Sequence, residues 1–258
     1  MTTDTLFATE TRTPASPAAR AAAPAAAVAQ RLDFYAPIHK ALRSCMLDTL
    51  LRCGRLDVQD SAEMQATLGR LDGLLRFCSR HLQHENDFVH PALEARRTGA
   101  SWRIAGEHVE HQHHIAALGD LAAQLRAAGA DSRPALALRL YRQLALFVAD
   151  NFQHMHVEET AHNQALWATH TDGELTALHD RLLASIPPAD MLDDLRWMVP
   201  ALTPQERAGL LNEIRQTMPP EPFANLVDQL RPHLDHAAWA KLAPAIGLPQ
   251  QPGLVCFA

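Results

Sequence analysis

Two pairs of residues set the chemistry within reach of this chain. His81 and Glu85 stand four apart, and so do His154 and Glu158. An α-helix turns 100° per residue, so each pair presents an imidazole and a carboxylate on one face, one turn apart. Both pairs extend apolar stripes. Leu71, Leu74 and Cys78 lead into the first, and Leu140, Leu144 and Phe147 lead into the second. Surface contacts at i,i+4 spacing are the plainer reading of such pairs. Four ionisable groups on core-facing stripes, however, are costly to bury unless they are paired or bind metal.

The pairs also recur. His81 to His154 and Glu85 to Glu158 are each 73 residues, and His39 to His111 is 72. The unit "one His on a helix, then His-x-x-x-Glu on the next" therefore occurs twice, as expected of a bundle with pseudo-twofold symmetry. Converged on a bundle axis, four imidazoles and two carboxylates suit two ions, each taking two histidines, with the glutamates bridging. Nitrogen and oxygen donors without thiolate favour Fe or Mn, with Zn also admissible.

His-x-x-x-Glu alone is a weak signal. It occurs four times, at 81/85, 90/94, 154/158 and 170/174. His90 and Glu94 are rotated away from the His81–Glu85 face, and 170/174 spans the Thr171-Asp172-Gly173 break. His39 by itself would read as a satisfied core histidine; its repeat relation to the third helix makes it a ligand candidate. On that third helix His108 and His111 share the apolar stripe, with His114 turned about 60° from His111. The offset favours His111, leaving His108 as an extra ligand or a group behind the ligands. His162, one turn beyond Glu158, is a further candidate. His84, His90, His113 and His156 are expected to be solvated or to stand behind the ligands. Glu159, turned about 100° from Glu158, is not expected to ligate.

The elements that must position these groups are helices. Aliphatic residues dominate, aromatics are few, and β-branched runs are missing. Apolar residues at i, i+3/i+4, i+7 spacing predict helices over about 33–53, 61–97, 102–128 and 132–167. Pro37 falls in a first turn, and Gly54, Gly99 and Gly129 mark ends. The fold class expected is all-α: an antiparallel up-down-up-down four-helix bundle over 31–170. A disordered lead-in over 1–30 precedes it. A helical extension over 171–258 packs on the bundle, with shorter helices at 172–186, 188–199, 203–217, 220–235 and 236–246 and an irregular tail at 249–258. Trp167, Trp197 and Trp239 read as packing residues between bundle and extension.

Composition narrows the partners. The 258 residues carry 15 histidines, roughly two to three times ordinary usage, and a formal net charge of −6 with His neutral. That balance argues against nucleic acid. No apolar run approaches the ~18–20 residues of a membrane span. Cys45, Cys53, Cys78 and Cys256 show no Cys-x-x-Cys motif and read as reduced, partly buried thiols in a cytoplasmic protein. Nothing in the sequence fixes the oligomeric state.

These motifs resemble a known family. His39 in "IHKALR", His81-x-x-x-Glu85 before "HPALE", a histidine inside "GEHVEHQHHIAAL" and His154-x-x-x-Glu158-Glu159 look like the hemerythrin-like (HHE cation-binding) domains over about 33–167. The resemblance implies a four-helix bundle holding two non-haem iron ions with oxo or hydroxo and carboxylate bridges. It implies iron ligands at His39, His81, Glu85, His111, His154 and Glu158. Oxygen carriers of the family have His-x-x-x-His on the third helix and His-x-x-x-x-Asp on the fourth. This chain has His-x-x-His and His-x-x-x-Glu, and is similar to the four-His, two-Glu members. Those include proteins that repair iron centres under stress, although no cysteine-bearing segment occurs in residues 1–30. The implied partner is a small diatomic or peroxide (O2, NO, H2O2) at an open iron position, in carriage, sensing or stress response. The alternatives are a di-iron enzyme reducing NO or peroxide or acting as an oxidase, and an iron-donating repair factor for iron–sulfur centres.

Overall fold

The computed structural model describes residues 31–249, and all regular structure among them is helical. The lead-in expected over 1–30, Cys256 and nearly all of the tail expected at 249–258 lie outside the described residues. Four long helical runs come first. Helix α1 is Ala36–Gly54. Helix α2, Ser61–His84, passes through a π-turn at Glu85–Val89 into α3, His90–Arg96. Helix α4 is Trp102–Ala127. Helix α5, Arg133–Val157, passes through a second π-turn at Glu158–His162 into α6, Asn163–Thr169. Then come α7 (Asp172–Ser185), α8 (Pro188–Ala201), α9 (Pro204–Thr217), α10 (Pro220–Leu230), a 3₁₀ turn (Arg231–His233) and α11 (His236–Ala245).

Local chemistry sets the boundaries. The Asp60 carboxylate accepts from the backbone N–H of Ala62 and Glu63 at 2.8 and 3.0 Å, capping α2. The Asp33 carboxylate accepts from Tyr35 N and Ala36 N, at 2.9 and 3.0 Å, and so orients the start of α1. Capping boxes, Thr171 with Glu174 and Thr203 with Glu206, open α7 and α9.

Helix α1 packs against α2 and α5, and α4 packs against the same two, closing a ring of four long helices. Two apolar layers fill the ring. The larger is built from residues such as Leu42, Leu68, Leu74, Leu118, Leu144 and Phe147; the smaller from Tyr35, Val89, Leu93, Ala165, Leu166 and Leu175. Burying a leucine in such a layer contributes about 1.5–3 kcal/mol. Between the layers lies a belt of buried polar side chains. Cys45, Cys53 and Cys78 are free thiols buried in the larger layer. Burial pushes the first two up to about 12 and about 11 and the third higher still, which makes them unreactive.

A third apolar cluster, including Val199, Leu211, Phe223, Val227 and Trp239, is the core of the later helices. Helix α8 packs along α1. Trp197 packs on the larger bundle layer and stacks under Arg70, while Trp239 belongs to the later core. Trp167 packs on the smaller layer and donates from its indole N–H to Leu32 O at 2.9 Å. Arg80 bonds Asp194 at 2.6 Å, and Lys40 bonds the capping residue Glu206 at 2.6 Å. No helix among the described residues is long and apolar enough to cross a membrane.

Candidate metal centre

Both π-turns begin on a glutamate of the repeated motif, 85 and 158, and so keep the 73-residue offset. In each, a backbone N–H reaches five residues back instead of four: His90 to Glu85 O, and Asn163 to Glu158 O. An α-helix would set residue i+5 about 140° away; the wider turn brings it back over residue i. Below each turn the helix is regular, so His81 lies under Glu85 and His154 under Glu158.

Six side chains meet between the apolar layers. His39, His81, Glu85 and Glu158 bring one ligand atom each within 4.8 Å of one another, and so do Glu85, His108, His154 and Glu158. The two groups share both carboxylates. Glu85 turns Oε1 to His81 Nε2 (3.3 Å) and Oε2 to His108 Nε2 (3.4 Å). Glu158 turns Oε2 to His39 Nε2 (3.4 Å) and Oε1 to His154 Nε2 (3.1 Å) and His108 Nε2 (3.5 Å). The Nε2 atoms stand 3.2 Å apart in each histidine pair, His39 with His81 and His108 with His154. Each carboxylate thus offers one oxygen to each pair.

None of the four carboxylate oxygens has a hydrogen-bond partner, although all are sealed from solvent. The nitrogens approach them without hydrogen-bond geometry. A buried, ionisable oxygen without a donor is expensive, and four together match a site built to surround cations.

The outer nitrogens are held in the way ligand histidines are held. His39 Nδ1 lies 3.1 Å from Glu159 Oε1, and Arg43 clamps that carboxylate at 2.5 and 3.1 Å. His154 Nδ1 lies 2.9 Å from Glu107 Oε2, whose other oxygen accepts from Arg103 at 2.8 Å. His108 Nδ1 lies 2.8 Å from Asn86 Oδ1. With those contacts formed by Nδ1–H, each Nε2 faces inward with its lone pair.

The electrostatics follow from burial and crowding. Burial, then the Glu158 carboxylate beside it, raises Glu85 well above the usual range. Burial opposes the charge on Glu158 too, but its contacts with His108 and His154 outweigh it and hold Glu158 well below. Burial, then His39, pushes His81 well below its ordinary value. Burial also opposes charge on His154, yet its contacts with Glu158 and Glu107 raise it.

Of the residues singled out in the sequence, His39, His81, Glu85, His154 and Glu158 are brought together. On α4 the structure brings in His108 and leaves His111 out of both groups. The His111 ring is buried against Phe147 and 4.7 Å from that of His154, one turn deeper in the bundle, and its Nδ1 has no partner. The 72-residue offset points to His111, but α4 runs 19 residues from His108 to its end at Ala127 where α1 runs 15 from His39 to Gly54, so the residue at the height of the belt comes one turn earlier. His108 follows the buried Ile104 by four residues as His39 follows the buried Tyr35, at an offset of 69. That correspondence was the available signal.

His90, expected to be solvated or to stand behind the ligands, is not solvated. The first π-turn rotates it inward, where it is buried and stacks on His108 with ring centroids 4.8 Å apart. His162 is likewise buried, whereas His113 and His156 are exposed and His84 half-buried. The other two His-x-x-x-Glu matches have structural roles for their glutamates. Glu94 accepts from Gly99 N, Ser101 N and Ser101 Oγ and ties the α3–α4 link, where Gly99 has a φ of +82°. Glu174 completes the cap of α7.

Comparison with known proteins agrees with this geometry. The family model described as the hemerythrin HHE cation binding domain matches residues 31–164, which hold every residue of the belt. Neither curated proteins nor solved structures give a match.

Proposed function

Because this chain belongs to the hemerythrin family of HHE cation-binding domains, we propose that it is a binuclear non-haem iron protein. It binds a small diatomic or peroxide (O2, NO, H2O2) as a carrier, sensor or stress-response protein. The observation that supports this reading is the pair of buried carboxylates, each with one bare oxygen toward each of two histidine pairs. His39 and His81 would hold one ion and His108 and His154 the other, with Glu85 and Glu158 spanning both. Nitrogen and carboxylate donors without sulfur suit iron, and Mn or Zn can occupy the same set. When bound, iron supplies redox chemistry and a coordination position open to the small ligand. Glu159, Glu107 and Asn86 fix the rings of His39, His154 and His108. The apolar layers above and below exclude water. The short links at 55–60, 97–101 and 128–132 suit helices that alternate in direction, an antiparallel up-down-up-down bundle.

The test is iron content and ligand response. Purified protein loaded anaerobically is expected to retain two irons per chain and to change its optical spectrum on exposure to O2, NO or peroxide. Reversal under vacuum marks carriage, repeated turnover marks an enzyme, and transfer to an apo iron–sulfur protein marks repair. Iron retention that is nil, or undiminished in His81→Ala and His154→Ala, refutes the assignment.

A further inference from the structure

A third group of donors adjoins the paired site and shares one carboxylate with it. His90, His162 and Glu158 are all buried, and each brings one ligand atom within 4.8 Å of the others. His90 Nε2 is sealed from solvent with no hydrogen-bond partner, in a residue only 6% exposed. The His90 and His162 rings meet edge to face with centroids 5.7 Å apart. The Tyr35 hydroxyl, also buried, stands 3.3 Å from His162 Nδ1 and restrains that ring.

The placement comes from the π-turns. His90 is the residue whose N–H closes the first turn, and His162 is the last residue of the second. In regular helices the two imidazoles would not both face the belt. Helix entry also converges here. Asn163, which closes the second turn, donates to the Asp33 carboxylate at 2.7 Å, and Asp33 in turn orients the start of α1 just before Tyr35. A neutral imidazole has one donor and one acceptor nitrogen. The bare Nε2 of His90 thus stands beside a second imidazole and a carboxylate whose oxygens accept no hydrogen bond.

We propose that His90, His162 and Glu158 form a third cation position, next to the paired site and sharing Glu158 with it. Two imidazoles and a carboxylate, with a fourth position left to water, suit Zn2+ rather than Mg2+ or Ca2+. The inference rests on the paired-site reading, and the experiment separates the two. Metal-free full-length chain is loaded with Zn2+, freed of excess and measured by elemental analysis. Crystals of the same sample give anomalous difference peaks at the zinc edge, which locate each ion and exclude surface binding. Three buried ions are expected, one of them between His90 and His162. The His90→Ala/His162→Ala variant, checked for fold by circular dichroism, is expected to keep two. Two buried ions in the wild type overturn the third position and leave the paired site standing. Three in the double variant overturn its assignment to these residues, and none in the wild type overturns both readings. If the double variant does not fold, the wild-type anomalous map decides alone.

Discussion

Replacing His108 with alanine is the perturbation that separates the two candidate ligands of α4. On the His108–His154 side the ion is offered two imidazoles and one oxygen from each carboxylate. The variant leaves one imidazole there, while the His39–His81 side keeps its full set. Losing a partner behind a ligand costs about 10–100-fold in metal affinity. Losing the imidazole itself is expected to exceed the upper figure, roughly 3 kcal/mol or more at about 1.4 kcal/mol per tenfold. At iron concentrations that just saturate the wild type, the variant should retain one ion per chain instead of two. His111→Ala is the matched control. Its ring contacts Phe147 and His154, and its Nδ1 bonds nothing. The loss is one of packing, about 1–3 kcal/mol, or a few degrees in Tm, with two ions retained. Iron per chain after anaerobic loading and desalting, with calorimetry alongside, reads both effects. Loss of an ion from His111→Ala together with full iron in His108→Ala would refute the geometric argument.

Glu107→Gln and Glu159→Gln, which weaken the contacts to His154 and His39, should each lower metal affinity about 10–100-fold; chelator competition measures this. Metal uptake should release protons, because Glu85 and His154 are both raised in the metal-free site. Affinity for Zn2+ should therefore be higher at pH 8 than at pH 6, and a pH-stat trace without proton release would contradict the assignment. Asp194, raised mainly by burial from 3.8 to about 6 despite its bond to Arg80, favours the fold while protonated. Its contribution is present below about pH 4 and lost as pH rises through about 6, on the order of 2–3 kcal/mol. Urea midpoints of Asp194→Asn should lack that part of the slope. Arg207, buried and donating to the carbonyls of Val199, Pro200 and Leu202, should cost about 2–4 kcal/mol when changed to alanine. Lys40→Ala, at a partly exposed pair with Glu206, should change Tm by no more than about 2 °C.

Much of this was legible in the sequence. Period 3.6 located the four long helical runs, because their apolar stripes continue through the motif residues. The 73-residue echo singled out two His-x-x-x-Glu pairs from four, and the rejected glutamates, Glu94 and Glu174, hold a link and a cap. The π-turns were not legible. A reading at 100° per residue assumes unbroken i→i+4 bonding, so it sends His90 away from the site that the wide turn gives back to it. The choice between His108 and His111 was not legible for a related reason. Both lie on the same stripe, and only their height along the bundle distinguishes them, which depends on how far α4 runs past the belt rather than on periodicity. Contacts such as Asn86 with His108 join residues 22 apart through the fold, and no local pattern announces them.

The polar belt also fixes how the long helices line up along their axes. Leucine layers are nearly interchangeable: a helix that slides one turn, about 5.4 Å, can set leucine against leucine again. The belt permits no such slip, because a one-turn shift of α5 would carry Glu158 and His154 into an apolar layer and leave Glu85 facing hydrocarbon. Unpaired buried charge is penalised far more steeply than imperfect apolar packing. The same six side chains that would grip the ions therefore act as an alignment key for the scaffold, selecting one axial register from several that the hydrophobic pattern alone would accept.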